Sequence, residues 1–122
     1  MRNFILMAAA LVVAAPASAM PVAIFLDKVD KLAKQGALGA MTSDASLVKK
    51  ELTDDAAALR SERLAATQAG KTPPYCPDAQ SAPPSVDEII AGLKQVPAAD
   101  RSKTEVKDAL RVYMAKRFPC TK

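Results

Sequence analysis

Two cysteines, Cys76 and Cys120, carry all the thiol chemistry of this 122-residue chain, and no histidine accompanies them. Without imidazole the chain lacks the commonest general base and the commonest metal ligand. Two thiolates alone would need ligands from outside the chain to hold zinc. The two are also far from the Cys-x-x-Cys spacing that redox centres use. A disulfide or two free thiols are the remaining readings. The carboxylates offer two adjacent pairs, Asp54-Asp55 and Asp87-Glu88. Neighbours on a helix point about 100° apart, so neither pair converges on one substrate, and both read as solvated faces. Ser43, Ser46, Ser85 and Ser102 fit helix caps or exposed positions better than nucleophiles. No glycine-rich phosphate loop and no EF-hand spacing occurs. The residues predict no catalytic group, no cofactor and no metal site; the chain is not expected to be an enzyme.

The amino terminus sets the compartment. Arg2 precedes an apolar run from Phe4 to Val13, and Ala17-Ser18-Ala19 places small residues at positions −3 and −1 of a cut before Met20. Charged start, apolar middle and small-residue end are the three parts of a secretory signal peptide. The run is too short for a membrane-spanning helix, which needs roughly 20 apolar residues. Residues 1–19 are therefore expected to be removed, leaving 20–122 as one small periplasmic or secreted domain with no stable membrane insertion. The net charge of +4 is spread along the chain, as in Asp27-Lys28 and Glu62-Arg63, and aromatics make up 4%. No basic stripe is present and the rings are too few for base stacking, so nucleic acid is not a predicted partner.

Apolar spacing and stop signals predict an all-α fold of about four helices. Val22, Phe25, Leu26, Val29 and Leu32 recur at helical spacing over 22–36, and Gly36 is placed to end that helix. A second helix is expected over 44–69, capped among Thr42, Ser43 and Asp44 and stopped by Gly70. Its buried stripe is read as Leu47, Val48, Leu52, Ala56 and Leu59. Residues 71–84 contain five of the nine prolines and read as an extended linker. Ser85 and Glu88 fit a capping box opening a helix that carries Ile89, Ile90, Leu93 and Val96 and ends at Pro97. A second box, Ser102 with Glu105, is expected to open the last helix, with Val106, Ala109, Leu110, Tyr113 and Met114 facing inward.

Two helices joined by the short 97–101 turn should pack antiparallel. Cys76 precedes the first and Cys120 follows the second, so both lie at the open end of an 85–120 hairpin. In an oxidising compartment they are expected to pair and clasp it. Closing a loop of about 45 residues is worth roughly 4 kcal/mol in the chain-entropy model.

One stretch also resembles a known family. Tyr75-Cys76-Pro77, the helix at Val86-Asp87-Glu88-Ile89-Ile90, the turn Val96-Pro97-Ala98-Ala99-Asp100-Arg101, the helix around Ala109-Leu110 and the closing Phe118-Pro119-Cys120 are similar to the Tai family of amidase immunity proteins of type VI secretion systems. The resemblance covers the second half of the chain. It implies a periplasmic protein that binds a peptidoglycan amidase and occludes its active site, with Cys76, Phe118, Pro119 and Cys120 as structural positions. A periplasmic stress chaperone and an envelope-associated structural protein are the alternative expectations.

Overall fold

In a computed structural model, residues 19–121 are described. The signal segment expected at 1–19 lies outside them apart from Ala19. The chain is helical, with no strand among the described residues: α1 spans Val22–Gln35, α2 Ser43–Gln68, α3 Val86–Leu93 and α4 Val106–Arg117. Two 3-10 turns, Gly36–Met41 and Ala98–Asp100, join α1 to α2 and α3 to α4.

The stop signals act largely where the sequence places them. Gly36 takes φ +59° at the end of α1, and Gly70 takes φ +69° two residues past α2. There the Lys71 N–H donates to the Ala66 carbonyl at 2.8 Å, the closing bond of a glycine-terminated helix. The Thr42 hydroxyl accepts the Ala45 N–H and caps α2. The Ser85 and Glu88 side chains accept each other's backbone N–H groups, so the first capping box forms as expected.

The second box does not. No side chain caps α4, whose cap position is Glu105. Residues 101–105 are instead taken up by pairing with the start of the described chain. The Val22 N–H donates to the Thr104 carbonyl at 2.8 Å, and the Val106 N–H donates to the Met20 carbonyl at 2.9 Å. Pro21 and Glu105 thereby form an isolated antiparallel bridge. A long-range backbone partner for the first N–H of α4 has replaced the local cap. Helix α3 is likewise shorter than the sequence suggests, ending at Leu93 rather than beside Pro97. Arg101 folds back to donate to the Val96 and Lys94 carbonyls, both at 2.9 Å, and satisfies groups that a continued helix would have used.

Two apolar clusters share the helices. The first joins Val22, Phe25 and Leu26 of α1 to Val48 of α2, Leu93 of α3 and Val106 and Ala109 of α4. The second joins Leu59 of α2, Leu110 of α4, Tyr75 and Phe118. Helices α2 and α4 therefore run in the same sense from the first cluster to the second, while α3 returns antiparallel to α4. That is the hairpin the short connection predicts.

The buried row of α2 differs from the expected stripe. Leu47 and Ala56 are exposed, whereas Asp55 and Glu62 are half-buried on the same face as Val48, Leu52 and Leu59. Positions 48, 52, 55, 59 and 62 follow the helical repeat faithfully, but two of them carry carboxylates, which an apolar stripe passes over.

Candidate functional site

The two cysteines meet. Cys76 and Cys120 are bonded, with their Cα atoms 5.0 Å apart. Around them the Cys76 N–H donates to the Phe118 carbonyl at 2.8 Å, and Tyr75 is buried against Leu59, Leu110 and Phe118. The guanidinium of Arg63 lies over the Tyr75 ring, 5.6 Å from its centre. The proline-rich stretch is thus pinned to α2 and α4 by a buried aromatic as well as by the disulfide. Both sulfurs are consumed structurally and are not available as nucleophiles.

The two acidic pairs behave differently from one another. Asp87 and Glu88 open α3, where charge and capping explain them. Asp54 is exposed and paired with Lys50 one turn back on α2. Asp55 departs from the expected solvated face. It turns inward beside Glu51, and its Oδ2 is buried with no hydrogen-bond partner. Desolvation first, and the neighbouring Glu51 charge second, push its carboxyl up to about 7. The two acids that come together are therefore Glu51 and Asp55, four residues apart, rather than the adjacent pair.

These carboxylates line a cavity of about 910 Å³ between α2 and α4, together with Met20, Lys50, Glu105 and Lys107. The Met20 N–H donates to Glu51 Oε1 at 3.3 Å. A second groove, of about 470 Å³, lies between α3 and α4. Its floor is mostly apolar, from Val96, Ala109 and Val112, and Asp100, Lys103 and Lys116 stand on its rim. Gly92 forms one wall: a Cβ there would come within 2.4 Å of Tyr113 Cδ2, so the ring packs directly on helix backbone. Among the described residues, no group of three metal-ligating side chains occurs.

A third feature was not visible as a site in the sequence. The 3-10 turn Gly36–Met41 presents Leu38 and Met41 to solvent, 76% and 86% exposed. Both are more exposed than any other large apolar side chain among the described residues. The turn is nonetheless held in place. Gly39 is buried with room for no Cβ, since one would approach the Leu32 carbonyl oxygen to 2.9 Å. The Gly39 carbonyl accepts both the Thr42 N–H at 3.1 Å and the Thr42 hydroxyl at 2.7 Å. Beyond it, Lys28 of α1 pairs with Asp44 of α2 at 2.8 Å, a contact that holds the Asp44 carboxyl below its usual range. The available signal was composition: Gly36-Ala37-Leu38-Gly39-Ala40-Met41 has no polar side chain, which is unusual for a surface connection.

Compared with protein-family models, with curated proteins and with solved structures, the chain matches none.

Proposed function

We propose that this protein is an exported binding protein that acts by covering a protein partner, with the apolar turn Gly36–Met41 as its leading contact. The observation that carries the reading is the exposure of Leu38 and Met41 on a turn already fixed at its base by Gly39 and Thr42. An apolar contact held in place before binding loses little conformational freedom on docking, and methionine is enriched at interfaces. Occlusion needs a rigid surface and no bond chemistry. A chain without histidine, with both sulfurs joined, suits that role.

Export by the signal segment at 1–19, with cleavage before Met20, supplies the periplasmic setting in this reading. The resemblance of the 76–120 stretch to the Tai immunity proteins supplies the partner class, a peptidoglycan amidase. The test pairs the protein with peptidoglycan amidases of the kind delivered by type VI secretion systems. At equimolar ratio the wild-type protein abolishes peptidoglycan hydrolysis, and the double variant Leu38→Asp, Met41→Asp loses that inhibition while its thermal melt stays unchanged. A double variant that inhibits as well as wild type would move the interface elsewhere. Uninhibited amidase in the presence of the wild-type protein would remove the partner class altogether. A stress-chaperone role draws on the same exposed side chains, and protection of an unfolded client at acid pH is the assay that separates it.

A further inference from the structure

The cavity between α2 and α4 is acidic beyond what its own cations offset. Glu51, Asp54, Asp55 and Glu105 face Lys50 and Lys107 across it. Lys50 is engaged by Asp54, and Asp55 Oδ2 is buried without a partner. Met20 lines this cavity, and residues 20–22 are held in a fixed register beside it. The Met20 carbonyl accepts from Val106, the Val22 N–H donates to Thr104, and Met20 packs against the first cluster. The Met20 nitrogen is therefore held at one place, 3.3 Å from Glu51 Oε1.

Resting on the export reading, we propose that the α-ammonium group created at Met20 by removal of residues 1–19 becomes an ion-pair partner of Glu51, beside Asp55 in the same cavity, so that processing completes the electrostatics of the fold. Before cleavage the nitrogen is a neutral amide with one hydrogen to donate. After cleavage it carries a positive charge and three donors at the position where carboxylates are in excess. The elevated proton affinity of Asp55 describes the uncleaved state, in which that charge is missing.

The sign of the pH effect follows. An acid whose folded pKa is raised to about 7 makes the uncleaved fold lose stability as pH rises from the ordinary carboxylate value toward neutrality. A nearby ammonium draws the Asp55 value back down and removes that loss. The ammonium's own pKa rises in return, so its contribution is complete below the unfolded value of about 7.7–8.0 and is lost as pH climbs through the folded one.

Both clusters lie wholly between Met20 and Phe118, so a chain beginning at Met20 contains the entire core. Such a chain, cut from a fusion so that its first residue is fixed, is compared with one retaining Ala17-Ser18-Ala19, which carries the charge roughly 10 Å farther along the backbone. The pH dependence of amine labelling at Met20 should give an α-amino pKa at least one unit above about 8, a tenfold gain in proton affinity. Glu51→Gln should return it toward the ordinary range. At neutral pH the Met20 chain should melt higher than the extended one, and the gap should narrow as pH falls through the carboxylate range. An α-amino pKa at or below the ordinary value, or coincident melts at neutral pH, would overturn the ion pair. Intact mass of the exported protein is a separate arm. A start elsewhere than Met20 overturns the cleavage site and this role with it, whereas a correct start with an ordinary α-amino pKa overturns the ion pair alone.

Discussion

The two ends of the molecule are closed by different means. At the first cluster, Val22, Phe25, Leu26, Leu93 and Val106 are buried around backbone bonds that tie residues 20–23 to 101–106, with no covalent link. At the second, only Leu59, Tyr75, Leu110 and Phe118 are buried, and a disulfide lies beside them. The difference is one of supply. The first end draws buried apolar side chains from all four helices, whereas the second draws them from α2, α4 and an irregular proline-rich stretch that brings a single aromatic, with Ile89 of α3 only partly buried beside them. A small apolar cluster is stabilised by restricting the unfolded chain where it cannot be enlarged by burial.

The largest effect should come from emptying the first end. Phe25→Ala removes a fully buried ring from the centre of the larger cluster and should cost about 3–5 kcal/mol, read from denaturant unfolding. Should the cost fall well below that of Leu59→Ala at the other end, the ranking of the two clusters is reversed. Next comes the clasp. Cys120→Ser should cost roughly 2–5 kcal/mol, and thiol labelling before and after reduction should find both sulfurs blocked in the native protein. The Tyr75 contacts imply that the damage reaches the second half of α2, through Leu59, as well as the hairpin.

Between the ends, Gly92→Ala should destabilise by about 1–3 kcal/mol, because its Cβ would overlap the Tyr113 ring and force α3 away from α4. Thermal melts of Gly92→Ala alone and combined with Tyr113→Ala check the cause, since removing the ring should relieve most of the cost.

The smallest effect belongs to the charged link between α2 and α4. Arg111 donates to both carboxylate oxygens of Glu62, at 3.0 and 2.9 Å, and to Asp108 at 2.7 Å. The pair is about one-third exposed, which limits Glu62→Gln to roughly 1 kcal/mol or less. The hydrogen bond from Arg111 holds the Glu62 carboxyl below its usual range. Its contribution is therefore present at neutral pH and lost as pH falls through that lowered value. Wild type and Glu62→Gln should differ in unfolding free energy at neutral pH and converge in acid.

Much of this arrangement was legible from residue types. Gly36, Gly70, the Ser85–Glu88 box and the apolar repeats of α1 and α4 act through local chemistry, and local chemistry is what a sequence displays. The paired cysteines were legible because two antiparallel helices leave their outer ends together. What escaped notice depends on contacts distant in the chain. Glu105 and Val106 are claimed by residues 20–22, more than eighty positions earlier, so the Ser102 box never forms. Glu62 joins the buried face of α2 because α4 supplies Arg111 opposite it, and Asp55 joins it with no such partner and with a raised carboxyl pKa. The turn at Leu38 and Met41 shows in the sequence only as an apolar stretch; its exposure is set by Gly39 against the Leu32 carbonyl and by Lys28 against Asp44, contacts made across two helices.

Amide hydrogen exchange, residue by residue, in the oxidised and the reduced protein tests most directly whether the two ends are held by separate means. Reduction should strip protection from Cys76 and from the end of α4 at Met114 to Phe118, while Phe25, Leu26 and Val106 keep most of theirs. An equal loss at both clusters, or none at either, would contradict the account.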